Sequence, residues 1–144
     1  MKSYLFSILA ALFWGMAPVL EKMGLSKIPP LAGIFVRSIV SAFLCAIIFS
    51  TFYKGGWNWF FSEESGKGIL LLVISGISSA LIGQFFYFSA LRIGEASVAV
   101  GIASTYPLVA FVLSLIFLGE SLTLYKVLGI LLIVSGIIIL TSRG

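Results

Sequence analysis

The sequence predicts an all-α integral membrane protein of five transmembrane helices, and three observations predict it. The 144 residues are 60% hydrophobic and only 10% charged, against roughly 45–50% apolar and 25% charged in a soluble domain. The charges are grouped, leaving uncharged intervals at 3–20, 38–53, 68–91, 96–119 and 127–142. Each is close to the ~20 residues a helix needs to cross ~30 Å of hydrocarbon. The apolar runs are also continuous rather than alternating, which suits spanning helices and not barrel strands.

The first helix is expected over 4–23. Lys2 followed by an apolar run has the outline of a signal peptide, but no A-x-A-like site follows, and the run ends in Pro18 and Glu21-Lys22; the segment is therefore expected to be retained. Lys27-Ile28-Pro29-Pro30 marks the break, since proline ends one helix and is tolerated at the start of the next. The second helix follows over 31–53. The connection 54–67 mixes Gly55-Gly56, Trp57, Trp59, Phe60, Phe61 and Glu63-Glu64, and should lie along the headgroups with its indoles as anchors. The third helix is expected over 68–91. The short Arg92-Ile93-Gly94-Glu95 link makes the third and fourth helices antiparallel neighbours. The fourth helix covers 96–118, with Gly119 as its stop. Ser121 or Thr123 can cap the fifth, which runs to about Thr141. No room remains for a separate soluble domain, so residues 1–144 form a single five-helix transmembrane domain.

The composition narrows the chemistry. Histidine is absent, all five acidic residues are glutamates, and Cys45 is the only cysteine. Thiolate and imidazole metal sites, a disulfide and a Ser-His-Asp triad therefore cannot be assembled in one chain, and no cofactor is expected. Glu21 is the only carboxylate expected near a span apart from loop residues, so a paired acid and base for a membrane enzyme is not evident. The net charge of +4 sits at helix ends, where it suits lipid headgroups rather than nucleic acid.

Orientation is ambiguous. With five spans the termini lie on opposite sides. Lys2, Lys54, Lys67 and Lys126 fall on one side; Lys22, Lys27, Arg92 and Arg143 fall on the other, with Arg37 nearby inside the second helix. Such a balance gives the positive-inside rule nothing to act on. Two readings follow: one orientation set by a partner or a local charge, or insertion both ways and pairing as an antiparallel homodimer. The second would recreate the inverted-repeat architecture of many secondary transporters, with the substrate near the midplane between the repeats.

Several polar residues fall inside the spans. Ser7, Ala11, Trp14, Pro18 and Glu21 recur at spacings of 4, 3, 4 and 3 on one stripe of the first helix, a candidate pathway face. Pro18 removes a backbone hydrogen bond and frees a carbonyl. On the other reading, Trp14 packs against neighbours and Glu21 sits in the headgroup zone beside Lys22. Arg37 lies ~9 Å into the second helix at 1.5 Å per residue. It either snorkels to the surface or serves as counter-ion to Glu21 or to an anionic substrate. Gln84, the only glutamine, with Tyr87 three residues on, either orients a substrate or bonds across to another helix. Gly76, Ser79, Ala80 and Gly83 permit close packing. Ser97, Gly101, Ser104 and Thr105, followed by Tyr106-Pro107, suit tight packing or a kinked, movable gate. Gly129 and Gly136, seven apart on one face, suit helix packing or a dimer seam.

Leu12-Phe13-Trp14-Gly15 with Lys22 behind it, and the stretch from Ala96 through Tyr106-Pro107, Leu118-Gly119-Glu120-Ser121-Leu122-Thr123 and Gly129 to Gly136, resemble the EamA domain of the drug/metabolite transporter superfamily. The resemblance covers the whole chain. Most members resemble two such domains fused into ten helices, so a single domain implies assembly of two copies or pairing with a related chain. It also implies secondary transport, without ATP, of a metabolite or amphipathic small molecule. The four-helix multidrug branch carries a glutamate eight residues before a helix-1 lysine. If Lys22 matches that lysine the position is Trp14, so proton-coupled export by that glutamate is not implied here.

The expected function is secondary transport of a small organic metabolite or amphipathic compound by alternating access in a homodimer, in a bacterial or archaeal plasma membrane. The alternative is a non-catalytic subunit of a larger complex moving, for instance, a lipid-linked molecule.

Overall fold

A computed structural model describes residues 2–142. All its regular elements are helical, with no strand among the described residues. Five segments are long and apolar enough to cross a membrane: Tyr4–Leu25, Pro30–Phe52, Ser65–Ile93, Ala96–Phe117 and Leu124–Thr141. The chain is thus a helical integral membrane protein, as its uncharged intervals predict. Arg143, one of the charges weighed for orientation, lies outside the described residues.

The first two spans are single helices, α1 (Lys2–Leu25) and α2 (Pro30–Phe52). Helix α1 runs through Pro18, whose missing N–H leaves the Trp14 carbonyl without its intrahelical partner. Helix α2 opens on Pro30, where a proline gives up no hydrogen bond. The Gly33 N–H reaches back to the Pro29 carbonyl at 3.0 Å. The following connection is shorter than expected: Glu63 already belongs to α3 (Glu63–Ser75), so its last five residues are helical. Ser62, the N-cap residue, has its hydroxyl 2.8 Å from that of Ser65. The aromatic residues ahead of it cluster on the end of α2. Tyr53 stacks on Phe49 with centroids 4.6 Å apart, and Trp57 meets Phe49 edge-on at 5.2 Å.

The third span is not one α-helix. Between α3 and α4 (Gln84–Ile93), residues Gly76–Gly83 form a π-helix. Its wider turns rotate the face that α4 presents relative to an unbroken α-helix. The Ser79 hydroxyl bonds the Ser75 carbonyl at 2.7 Å and Ser78 the same carbonyl at 3.1 Å, the back-bonding that bends helices. The close packing expected at Gly76 does not occur among the described residues: a Cβ there would meet nothing within 4 Å.

The fourth span is divided into α5 (Ala96–Ala103) and α6 (Tyr106–Phe117). Proline at the second position of α6 cannot donate to the preceding turn. The break is stitched by Ser104 N–H to the Val100 carbonyl at 2.8 Å and Leu108 N–H to that of Thr105 at 2.9 Å. Past Leu118, Gly119 has φ +63°, the left-handed conformation in which glycine ends helices. Of the two caps considered for α7 (Leu124–Thr141), Thr123 is used: its side chain accepts from Lys126 N–H at 3.4 Å.

The chain resolves into two compact units. One is residues 20–92; the other combines the chain up to Val19 with Ile93 onward. The first has its core at Leu25, Ile34, Phe88 and Leu91, all nearly inaccessible. Here Lys22 Nζ bonds the Leu91 carbonyl, fastening the end of α1 to the last turn of α4, where a cation is favoured by the helix dipole. In the second unit, Gly101 of α5 lies under Leu140 of α7, a Cβ there coming within 2.6 Å of Leu140 Cδ2.

Because lipid tails are as apolar as leucine, such units are held by close packing rather than by a hydrophobic drive, and in the first Gly33 is where α2 closes on side chains of α1 and α4. A Cβ at Gly33 would stand 3.0 Å from Leu25 Cδ2 and 3.2 Å from Phe88 Cε2. Gly33→Leu should therefore destabilise the chain by about 2–3 kcal/mol through overpacking. Gly24→Leu, at a position whose Cβ meets nothing within 4 Å, should have little effect. Thermal unfolding of the two variants in detergent checks the difference.

Candidate functional site

The polar residues of the first unit converge. Gln84, Tyr87, Phe88 and Leu91 lie at i, i+3, i+4 and i+7 of α4, which places them on one stripe. Phe88 and Leu91 are buried and anchor it, and Gln84 and Tyr87 are half-buried above them. Helix α1 brings Glu21, one turn before its end. Helix α2 brings Arg37, one turn beyond the Gly33 contact.

Arg37 Nη1 lies 3.2 Å from Glu21 Oε1. The Glu21 side chain is 14% exposed and that of Arg37 50%. Of the two readings of Arg37, the structure adopts the counter-ion to Glu21, and its half-exposed guanidinium keeps donors in reserve beyond the one that Glu21 takes. The Tyr87 phenol is near enough to interact electrostatically with both charges. Glu21 and Arg37 open on a cleft of about 260 Å³ whose remaining lining, including Leu25, Val36 and Phe88, is apolar. A concave apolar wall with a few placed polar groups is the usual form of a small-molecule site. An ion pair in such a place can exchange: a ligand carboxylate can take Arg37 from Glu21, or a ligand cation can take Glu21 from Arg37.

Gln84 adds an unmet demand. Its Nε2 is buried and has no hydrogen-bond partner among the described residues. The cross-helix bond considered for this amide is therefore not made by Nε2, and a buried donor without a partner costs roughly 1–3 kcal/mol. It sits on the first residue after the π-helix, a kind of irregularity frequent at functional sites.

The other expected site residues fall in the second unit. Trp14 is 69% exposed, open to whatever lies outside the chain, while Pro18 is buried. Ser104 Oγ is turned to the Val100 carbonyl at 2.7 Å and Thr105 Oγ1 to that of Ile102 at 2.8 Å, so both hydroxyls satisfy backbone at the helix break. Tyr106, Pro107 and Gly129 meet in a groove of about 630 Å³ between α6 and α7. Neither Gly129 nor Gly136 has anything within 4 Å of a would-be Cβ, so these glycines do not serve close helix packing among the described residues.

Three contacts were not foreseen from sequence: the Lys22 clamp, the Gly33 approach, and an ion pair of 3.0 Å between Lys126 Nζ and Glu120 Oε2. The signal for the last was present, in a lysine within the first turn of a helix whose preceding loop holds the single carboxylate of that region.

Comparison with known proteins agrees with the architecture. The chain is 35% identical over 134 residues to an uncharacterized protein of Methanocaldococcus jannaschii, covering 93% of this chain and 92% of that one. It is 28% identical over 134 residues to an uncharacterized transporter in the cobO 3′ region of a Sinorhizobium species, with the same two coverages. An uncharacterized transporter of Archaeoglobus fulgidus is 27% identical over 146 residues, which are 99% of this chain but 48% of that protein. No solved structure matches. The family model described as the EamA-like transporter family matches residues 1–142, and the chain belongs to that family.

Proposed function

We propose that this integral membrane protein is a secondary transporter of a small organic metabolite or amphipathic compound, working by alternating access as two copies in a bacterial or archaeal plasma membrane. The observation that carries the reading is the Glu21–Arg37 pair, two charges within spanning segments that open together on an apolar cleft. Ionisable residues at such depth are rare and mark substrate or ion paths. Glu21, Arg37, Gln84 and Tyr87 form the polar part of the path in one unit. Trp14, Pro18, Ser104, Tyr106 and Pro107 are the candidate path residues of the other, and all five helices act as one functional domain.

Two copies are supported by length. The chain matches nearly the whole of the Sinorhizobium transporter and about half of the Archaeoglobus one, so a unit that stands alone in one relative corresponds to half of another. The even distribution of Lys and Arg between the two sides favours an antiparallel pair. Fusing reporters active on only one or the other side of the membrane to the C-terminus tests this. Both reporters should be active at comparable levels. Activity from one side alone would exclude the antiparallel homodimer and leave a related chain, or a larger complex, as the partner.

A further inference from the structure

The groove between α6 and α7 shares no lining residue with the cleft of Glu21 and Arg37, and has a different chemistry. Its floor is apolar, formed by Phe111, Ile130 and Ile133 with Gly129 contributing no side chain. Ser114 does not make it polar, since its hydroxyl is turned to the Phe111 carbonyl at 2.9 Å. Its charged end is formed by Glu120 and Lys126, where the fourth span has ended at Phe117 and the fifth begins at Leu124. From Ser114 back to Tyr106 the groove follows ~12 Å of helix at 1.5 Å per residue, close to the ~15 Å depth of one leaflet of the hydrocarbon core.

The charged end presents both signs side by side, 3.0 Å apart, and both side chains remain partly exposed. Lys126 has three N–H donors and uses two, on Glu120 and on the Ser121 carbonyl at 3.1 Å, which leaves one for an incoming acceptor. It lies in the first turn of α7, the helix end that favours an anion.

We propose that this groove binds a zwitterionic aminophospholipid of the surrounding bilayer, with its phosphate on Lys126, its ammonium on Glu120 and one acyl chain along the floor toward Tyr106. A headgroup carrying both charges is complementary to the pair as it stands. An anionic headgroup meets only Lys126 and is opposed by Glu120.

Native mass spectrometry of the full chain, purified in detergent and titrated with phosphatidylethanolamine or phosphatidylglycerol of identical acyl chains, tests the proposal. Phosphatidylethanolamine should be retained at least fivefold better. Glu120→Gln should reverse or abolish that preference, and Gly129→Leu, which fills the floor, should reduce retention of the lipid at least fivefold. Equal retention of the two lipids by the wild type, or undiminished retention by Gly129→Leu, overturns the proposal. So does a self-disulfide formed in high yield by Ile133→Cys on a Cys45→Ala background in phosphatidylethanolamine liposomes, because it would place a second copy in the groove.

Discussion

Arg37→Gln should destabilise the chain by about 2 kcal/mol, while Glu21→Gln should cost well under ~1 kcal/mol, although each removes the same ion pair. The asymmetry comes from what each leaves behind. Without Arg37, the Glu21 carboxylate remains 14% exposed within a spanning helix, and a stranded charge there must be desolvated or take up a proton. Without Glu21, Arg37 remains 50% exposed, with a stem long enough to carry the guanidinium toward the headgroups. That exposure also keeps the loss below the ~3–5 kcal/mol of a fully buried broken pair. The double variant Glu21→Gln/Arg37→Gln strands no charge, so it should recover most of the loss and resemble Glu21→Gln alone. Thermal unfolding of the four proteins in one detergent reads this as a double-mutant cycle. Equal losses in the two single variants would mean that Glu21 is as well solvated as Arg37 and that the cleft is not a low-dielectric site. Transport should fall in both single variants and in the double, separating the pair's role in moving a ligand from its role in stability.

How far the sequence predicts this arrangement differs from element to element. The five spans are legible because crossing hydrocarbon imposes one requirement, an uncharged run of sufficient length. The ends of α2 and α6 are legible because Pro30 and Gly119 act through their own backbone restrictions. Pro107 signals disruption in the fourth span, and the structure places a complete break at Ser104–Thr105. The π-helix is a different case. Its residues Gly-Ile-Ser-Ser-Ala-Leu-Ile-Gly are as compatible with an α-helix, and none of them is buried, so neither composition nor packing marks the wider ladder. The expected stripe of α1 is a further instance. The spacing from Ser7 to Glu21 puts these residues on one stripe of α1, yet Trp14 is exposed and Pro18 buried along it, because spacing alone does not show what stands opposite. For the same reason the sequence leaves Arg37 open between snorkelling and pairing. Its partner lies on another helix, and the choice was made by the packing of Gly33 against Leu25 and Phe88, which brings α2 up to α1 and α4.

Gln84→Leu should raise stability by about 1 kcal/mol and abolish transport, a pairing of effects that a structural role for the amide does not produce. The buried Nε2 has no partner among the described residues, so the folded chain carries the penalty of an unmade hydrogen bond, of order 1–3 kcal/mol. Leucine is of similar size, has no donor to satisfy and is a good helix former, and it should therefore be accepted on the stripe above Phe88 and Leu91. Natural sequences relinquish stability in this way chiefly where a function needs the polar group, and here the group stands beside Tyr87 and follows the π-helix. A ligand that accepts from Nε2 would relieve the penalty only while bound, so that the amide contributes to binding what it withholds from folding. Proteoliposome counterflow of a compound moved by the wild type, measured beside thermal unfolding, distinguishes the outcomes. A variant that is more stable and still transports would show that the amide is a packing imperfection and would remove α4 from the pathway. A variant that is less stable would show that Gln84 has a structural partner in the assembled transporter, placing the amide at the contact between copies rather than at the ligand.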